Sequence, residues 1–125
     1  MKKQILLWIW CLPQNLVGLI VKRVTKATPR GSHYWFKVKC GSVSLGEYIF
    51  LCPKHYGVVK VLRHEKGHQK QSRMLGWLYL PLIAIPSLIW AWIYSKHGEK
   101  LNSRGISYYW FYTEKWADKI AGIKR

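Results

Sequence analysis

The chain alternates between uncharged apolar runs and short stretches dense in Lys and Arg. The first run, residues 5–21 (ILLWIWCLPQNLVGLIV), is broken by Pro13, Gln14 and Asn15. No small-residue cleavage site follows it, so it predicts a helix–break–helix hairpin dipping into a bilayer, or a short span, rather than a cleaved leader. Residues 33–51 (HYWFKVKCGSVSLGEYIFL) are rich in β-branched and aromatic side chains and predict two strands around a Gly-Ser turn. Pro53 and Gly57 then punctuate the chain. From Val58 to about Leu75 there is no proline, and apolar residues at 58, 61, 62 and 75 fit a helix. Residues 75–94 are 20 positions without a charge, the length of a membrane span. Pro81 and Pro86 should kink that run, which membrane helices tolerate where neighbours satisfy the freed carbonyls. In a soluble protein the same run would be a buried helical hairpin broken at the prolines. Residues 106–125 read as an aromatic helix closing at Gly122.

These elements predict one domain over residues 1–125, α+β and mainly helical. A short β-hairpin would be followed by the helix from Val58, a kinked apolar membrane segment and a C-terminal helix.

Charge sharpens this picture. There are 21 Lys and Arg against 5 Asp and Glu, a formal net charge of +16, and eight of the residues are Trp. A soluble nucleic-acid binder would account for the charge but not for the apolar runs. Basic residues flanking Trp-rich apolar segments instead predict a membrane partner with anionic lipid, and no nucleic acid. Lys22, Arg23, Lys26 and Arg30 are expected on lipid headgroups. Residues 22–73 carry twelve Lys and Arg and residues 95–125 carry seven, a bias that favours the cytoplasmic face for residues 22–73. If both segments are cytoplasmic, the apolar run between them must be re-entrant. Cys11, Cys40 and Cys52 are odd in number and lack C-x-x-C spacing, so they read as small buried hydrophobes in a reducing compartment.

The chemistry lies in VLRHEKGHQKQ, residues 61–71. On a helix, His64 and His68 stand one above the other and can offer two imidazole nitrogens to one zinc ion. Glu65 lies about 100° around the helix, within reach of a water beside the metal, where it could act as general base. Gly67 costs about 1 kcal/mol in a bare helix, and makes sense if another backbone packs closely there. Two ligands are too few for zinc. Downstream candidates are His97, Glu99, Glu114 and Asp118, of which Glu114 and Asp118 share a helix face in FYTEKWADK. On that face Glu114 could bind the metal while Asp118 accepts a histidine N–H. Tyr108, Tyr109 and Tyr112 lie near Glu114; Tyr112, the closest, is the candidate oxyanion donor, against packing in an aromatic stripe. His33 and His55 are expected to be solvated or hydrogen-bonded without a metal role, and Glu47 to be an exposed acid beside a turn.

HEKGH followed by EKWAD resembles the HExxH…ExxxD arrangement of gluzincin zinc metallopeptidases. The resemblance implies a minimal zincin-like fold with His64, His68 and Glu114 as zinc ligands, Glu65 as base, and Asp118 supporting a ligand histidine. It further implies a peptide or protein substrate, and an edge strand, here SLGEYIFL, ahead of the active-site helix. The chain is also similar to small membrane-associated HExGH proteins in the blocks LPQNLVG, YIFL and PSLIWA. The metzincin continuation fails, because Gln71 and Met74 occupy its places.

The leading expectation is a membrane-associated zinc metallohydrolase, with zinc not separable from other divalent metals by ligand type alone. Two alternatives stand beside it. One is a membrane protein in which zinc staples two helices without catalysis. The other is a basic binder of lipid or nucleic acid without metal.

Overall fold

A computed structural model describes residues 2–37 and 42–124. The fold is α+β and mostly helical, with five helices around a small mixed four-stranded sheet among the described residues. Helix α1 (Lys2–Trp10) and helix α2 (Leu12–Thr25) meet at Cys11 with a bend of 92°. The break expected in the first apolar run is therefore present. Pro13 falls in the first turn of α2, where its missing N–H leaves no helical bond unmade.

The strand region is more elaborate than the predicted hairpin. Strands β1 (Thr28–Arg30), β2 (His33–Trp35), β3 (Val43–Leu45) and β4 (Tyr48–Leu51) lie in the order β1-β2-β4-β3. β1 and β2 are antiparallel, β3 and β4 are antiparallel, and β2 and β4 are parallel. SLGEYIFL is thus a hairpin rather than one strand: Gly46, at φ +65°, and Glu47 turn the chain between β3 and β4. The Gly-Ser turn expected at Gly41 and Ser42 falls partly outside the described residues, as does Cys40. Part of the basic run, Thr28–Arg30, is the edge strand β1. Phe36, Leu45, Phe50 and Cys52 form the core under the sheet, with Val21 of α2 against them. Cys11 and Cys52 are buried, as small hydrophobes should be.

Helix α3 (Val59–Leu75) matches the helix predicted from Val58. The apolar run after it is not one helix. A 3-10 turn (Gly76–Leu78), a π turn containing Pro81 (Leu80–Ala84) and helix α4 (Ile85–Ser103) follow one another. Gly76 turns the chain at φ +58° against the Trp10 indole. Among the described residues no single helix is long and apolar enough to cross a membrane, while the bent α1–α2 pair has the length and composition to do so. Helix α5 (Tyr112–Ala121) ends at Gly122 in a left-handed C-cap, as the sequence predicts.

Gln14 and Asn15 are fully buried, although they read as interruptions of an apolar run. The Gln14 amide donates to Ser72 Oγ and to the Gly76 carbonyl, both at 2.8 Å, and so closes the end of α3. Asn15 Oδ1 accepts the Glu47 N–H at 2.7 Å, and its amide donates to the Trp8 carbonyl. Two side chains thereby tie the α1–α2 corner to the β3–β4 turn and to α3.

Helices α3 and α5 pack closely at Gly67 and the fully buried Ala117. A Cβ on Gly67 would collide with the Ala117 carbonyl, so glycine stands where the two backbones touch. Gly67→Ala gains about 1 kcal/mol of helix propensity but overpacks the contact, at a cost of roughly 1–3 kcal/mol. A lower Tm is expected; an unchanged or higher Tm would refute the close approach of α3 and α5.

Candidate metal centre

Helix α3 carries His64, Glu65 and His68 on its buried side, and the first turn of α5 brings Glu114 opposite them. All four are at least nine-tenths buried. Glu114 Oε1 lies 3.3 Å from His64 Nε2 and 3.1 Å from His68 Nε2. The imidazole rings stand nearly perpendicular, 4.8 Å between centroids.

The remaining atoms of these groups are held from behind. His64 Nδ1 donates to Asp118 Oδ1, and His68 Nδ1 to Gln71 Oε1, both at 2.7 Å. The Gln71 amide donates in turn to the Thr113 carbonyl at 3.1 Å, which fixes its orientation. Both histidines therefore keep their Nδ1 protons and direct Nε2 inward. Glu114 Oε2 accepts the Ser87 and Thr113 hydroxyls at 2.8 and 2.6 Å, leaving Oε1 for the centre.

One nitrogen from each histidine and one Glu114 oxygen lie within 4.8 Å of one another. Two tetrahedral ligands about 2.0–2.1 Å from zinc stand roughly 3.3 Å apart, close to both Glu114–histidine separations. The residues fit a divalent metal by donor type, spacing and outer hydrogen bonds. His97 and Glu99 are exposed on α4, line a separate surface pocket and do not join this group.

Without a metal, the centre is an ion pair. Burial opposes charge on His64, but its hydrogen bond to Glu114 and the nearby Glu65 raise its pKa overall. Burial likewise works against His68, and the Glu114 contact overrides it to lift the pKa to about 9. Burial would raise Glu114, yet the two histidine hydrogen bonds hold it far below the usual carboxylate range. Burial raises Glu65, with the histidines pulling the other way.

The sign of the pH dependence follows. At neutral pH metal must displace a proton from His68, so zinc affinity should climb with pH toward about 9. The metal-free fold behaves oppositely. His68 contributes stability fully below its ordinary value of 6.5, and that contribution is lost as pH rises through about 9. Thermal denaturation of the apo protein across this window, beside zinc titrations at the same pH values, should give curves of opposite slope. Parallel slopes would contradict the ion pair.

The candidate oxyanion donor is displaced. Tyr112 is 53% exposed and its hydroxyl donates to the Leu82 carbonyl at 2.7 Å. The reason is helical geometry: residues two apart on α5 stand about 200° apart, so Tyr112 and Glu114 face opposite sides. Tyr108, from the 3-10 turn Tyr108–Trp110, instead lines a cavity of about 380 Å³ with Glu65, His68 and Glu114. Burial, and then the two carboxylates, keep its hydroxyl protonated. Tyr109 packs edge-on against His64, 5.3 Å between centroids.

Sequence reasoning also missed the supporting roles of Gln71, Thr113 and Ser87. Gln71 carried a signal, lying three residues after His68 on the same helix face. Ser87 carried none, because it sits in the apolar run. His33 and His55 are hydrogen-bonded away from the centre, and Glu47 forms a two-pronged ion pair with Arg73. No protein-family model, curated protein or solved structure matches this chain.

Proposed function

We propose that the protein is a membrane-associated zinc metallohydrolase with a minimal zincin-like site, and that it acts as a peptidase. The observation that carries this reading is the buried trio His64, His68 and Glu114 beside a cavity into which Glu65 faces. The Glu65 carboxylate lines this cavity beside His68 and Glu114, where a carboxylate can take a proton from water as a general base.

In this reading His64, His68 and Glu114 hold zinc, and Asp118 and Gln71 keep the two imidazoles in the ligating tautomer. When bound, zinc supplies Lewis-acid polarisation of an amide carbonyl and lowers the pKa of water. Glu65 takes the proton from the attacking water and passes it to the departing amine. In this reading Tyr108, which lines the same cavity, is the hydroxyl that would donate toward the carbonyl oxygen.

Membrane association is supported by exposed apolar side chains on α1 and α2 and along residues 74–92, among them Ile5, Ile20, Trp77, Ile89 and Trp92. Zinc content decides the metal reading first. The purified protein should carry about one equivalent of zinc that a strong chelator removes. A chain that binds no divalent metal would overturn it.

A further inference from the structure

We infer that the cavity beside Glu65 receives an uncharged apolar polypeptide segment arriving sideways from the lipid phase. This rests on the hydrolase reading for its purpose, but its geometry stands apart. The cavity runs outward from Glu65 and Glu114 between α2, β3 and α4. Its wall runs from Ala84, at the end of the π turn, to Ser87, Leu88 and Ala91 of α4, where mostly small side chains leave room for an occupant. At about 380 Å³ it falls within the size range of ligand sites.

Charge narrows the occupant. Among the described residues no Lys or Arg lines this cavity, whose ionisable lining groups there are the centre's own residues and two tyrosines. A phospholipid reaching Glu65 with its ester would bring its phosphate against the Glu65 carboxylate, with no Lys or Arg side chain among the described residues of the wall to receive it. An apolar peptide brings no such charge. The Ser44 carbonyl on β3 already accepts the Tyr79 hydroxyl at 3.2 Å, so side-chain contacts rather than a strand ladder would dominate.

The mouth fixes the direction of approach. Val17 and Leu88 line the cavity and are also 39% and 55% exposed. Their chain neighbours Leu16 and Ile89 are exposed apolar side chains as well. A lipid-facing surface there places the opening in the bilayer rather than in water.

The test uses the full chain as its Glu65→Gln variant, so that nothing depends on turnover. The protein is placed in phosphatidylcholine–phosphatidylglycerol vesicles with a photoreactive benzophenone amino acid at Leu88. The probes are a biotinylated Leu/Ala peptide embedded in the bilayer and a water-soluble Lys/Glu peptide of equal length. Capture of the embedded peptide is expected, and Ala91→Trp should lower it about tenfold, the scale of discrimination within a hydrophobic pocket. Ala91→Leu, a milder filling, should lower it less, with zinc content of both variants reporting an intact fold. Equal capture of the soluble peptide, capture of lipid only, or capture indifferent to both fillings would overturn the proposal. Zinc content separates the two readings: zinc without peptide capture sinks the lateral cleft, and filling-sensitive capture without zinc sinks the metallohydrolase while the cleft stands.

Discussion

Glu114→Ala is expected to leave the purified protein without stoichiometric zinc. Glu114 is the member of the trio supplied by α5, and its Oε1 faces both Nε2 atoms at 3.1–3.3 Å. Loss of an outer hydrogen-bonding partner typically costs 10–100-fold in metal affinity, so removal of a direct ligand should cost about a hundredfold or more. Two histidines remain on one helix, too few to hold zinc against a competing chelator. Asp118→Asn gives the contrast: its carbonyl can still accept the His64 N–H, so zinc should be retained with affinity reduced about 10–100-fold. Competition with a chromophoric chelator measures both variants. Full occupancy in Glu114→Ala would mean that another group completes the site.

Glu65→Gln should separate metal binding from chemistry. The Glu65 carboxylate lines the cavity and is not one of the three grouped candidate ligands, and glutamine keeps its shape while losing its basicity. Zinc content is expected to stay at the wild-type level. Hydrolysis of peptide substrate should fall about 10²–10⁴-fold, the usual contribution of a positioned general base. Undiminished turnover in Glu65→Gln would overturn the mechanism. Loss of zinc along with activity would instead make Glu65 part of the metal's support.

Much of this arrangement is legible in the chain. Helix α3 is written in the proline-free stretch after Gly57, and the i, i+4 spacing puts His64 and His68 on one face whatever surrounds them. The pairing of Glu114 with Asp118 is written in the same periodicity, and Gly67 announces a close backbone contact. The bend within residues 5–21 is marked by Pro13, although the buried Gln14 and Asn15 turn out to be ties to α3 and to the β3–β4 turn rather than mere interruptions. The strands are less legible. A three-residue strand such as Thr28–Arg30 carries no periodic signal, and its antiparallel partner His33–Trp35 is itself held on its other side by the parallel strand Tyr48–Leu51.

What the sequence determines by itself is therefore local: which residues a helix puts on one face, and which of them have the chemistry to ligate. Only the tertiary structure decides which faces meet. It selects Glu114 over His97 and Glu99, because α5 packs on α3 at Gly67 while those residues lie exposed on α4. Tyr108 replaces Tyr112 beside the centre, because the start of α5 turns Tyr112 outward to Leu82. From an otherwise featureless apolar run it draws the Ser87 hydroxyl that holds Glu114. Periodicity acts through bonds a few residues apart and can be read along the chain, whereas these pairings join residues 27 to 54 positions apart and arise only when the helices pack.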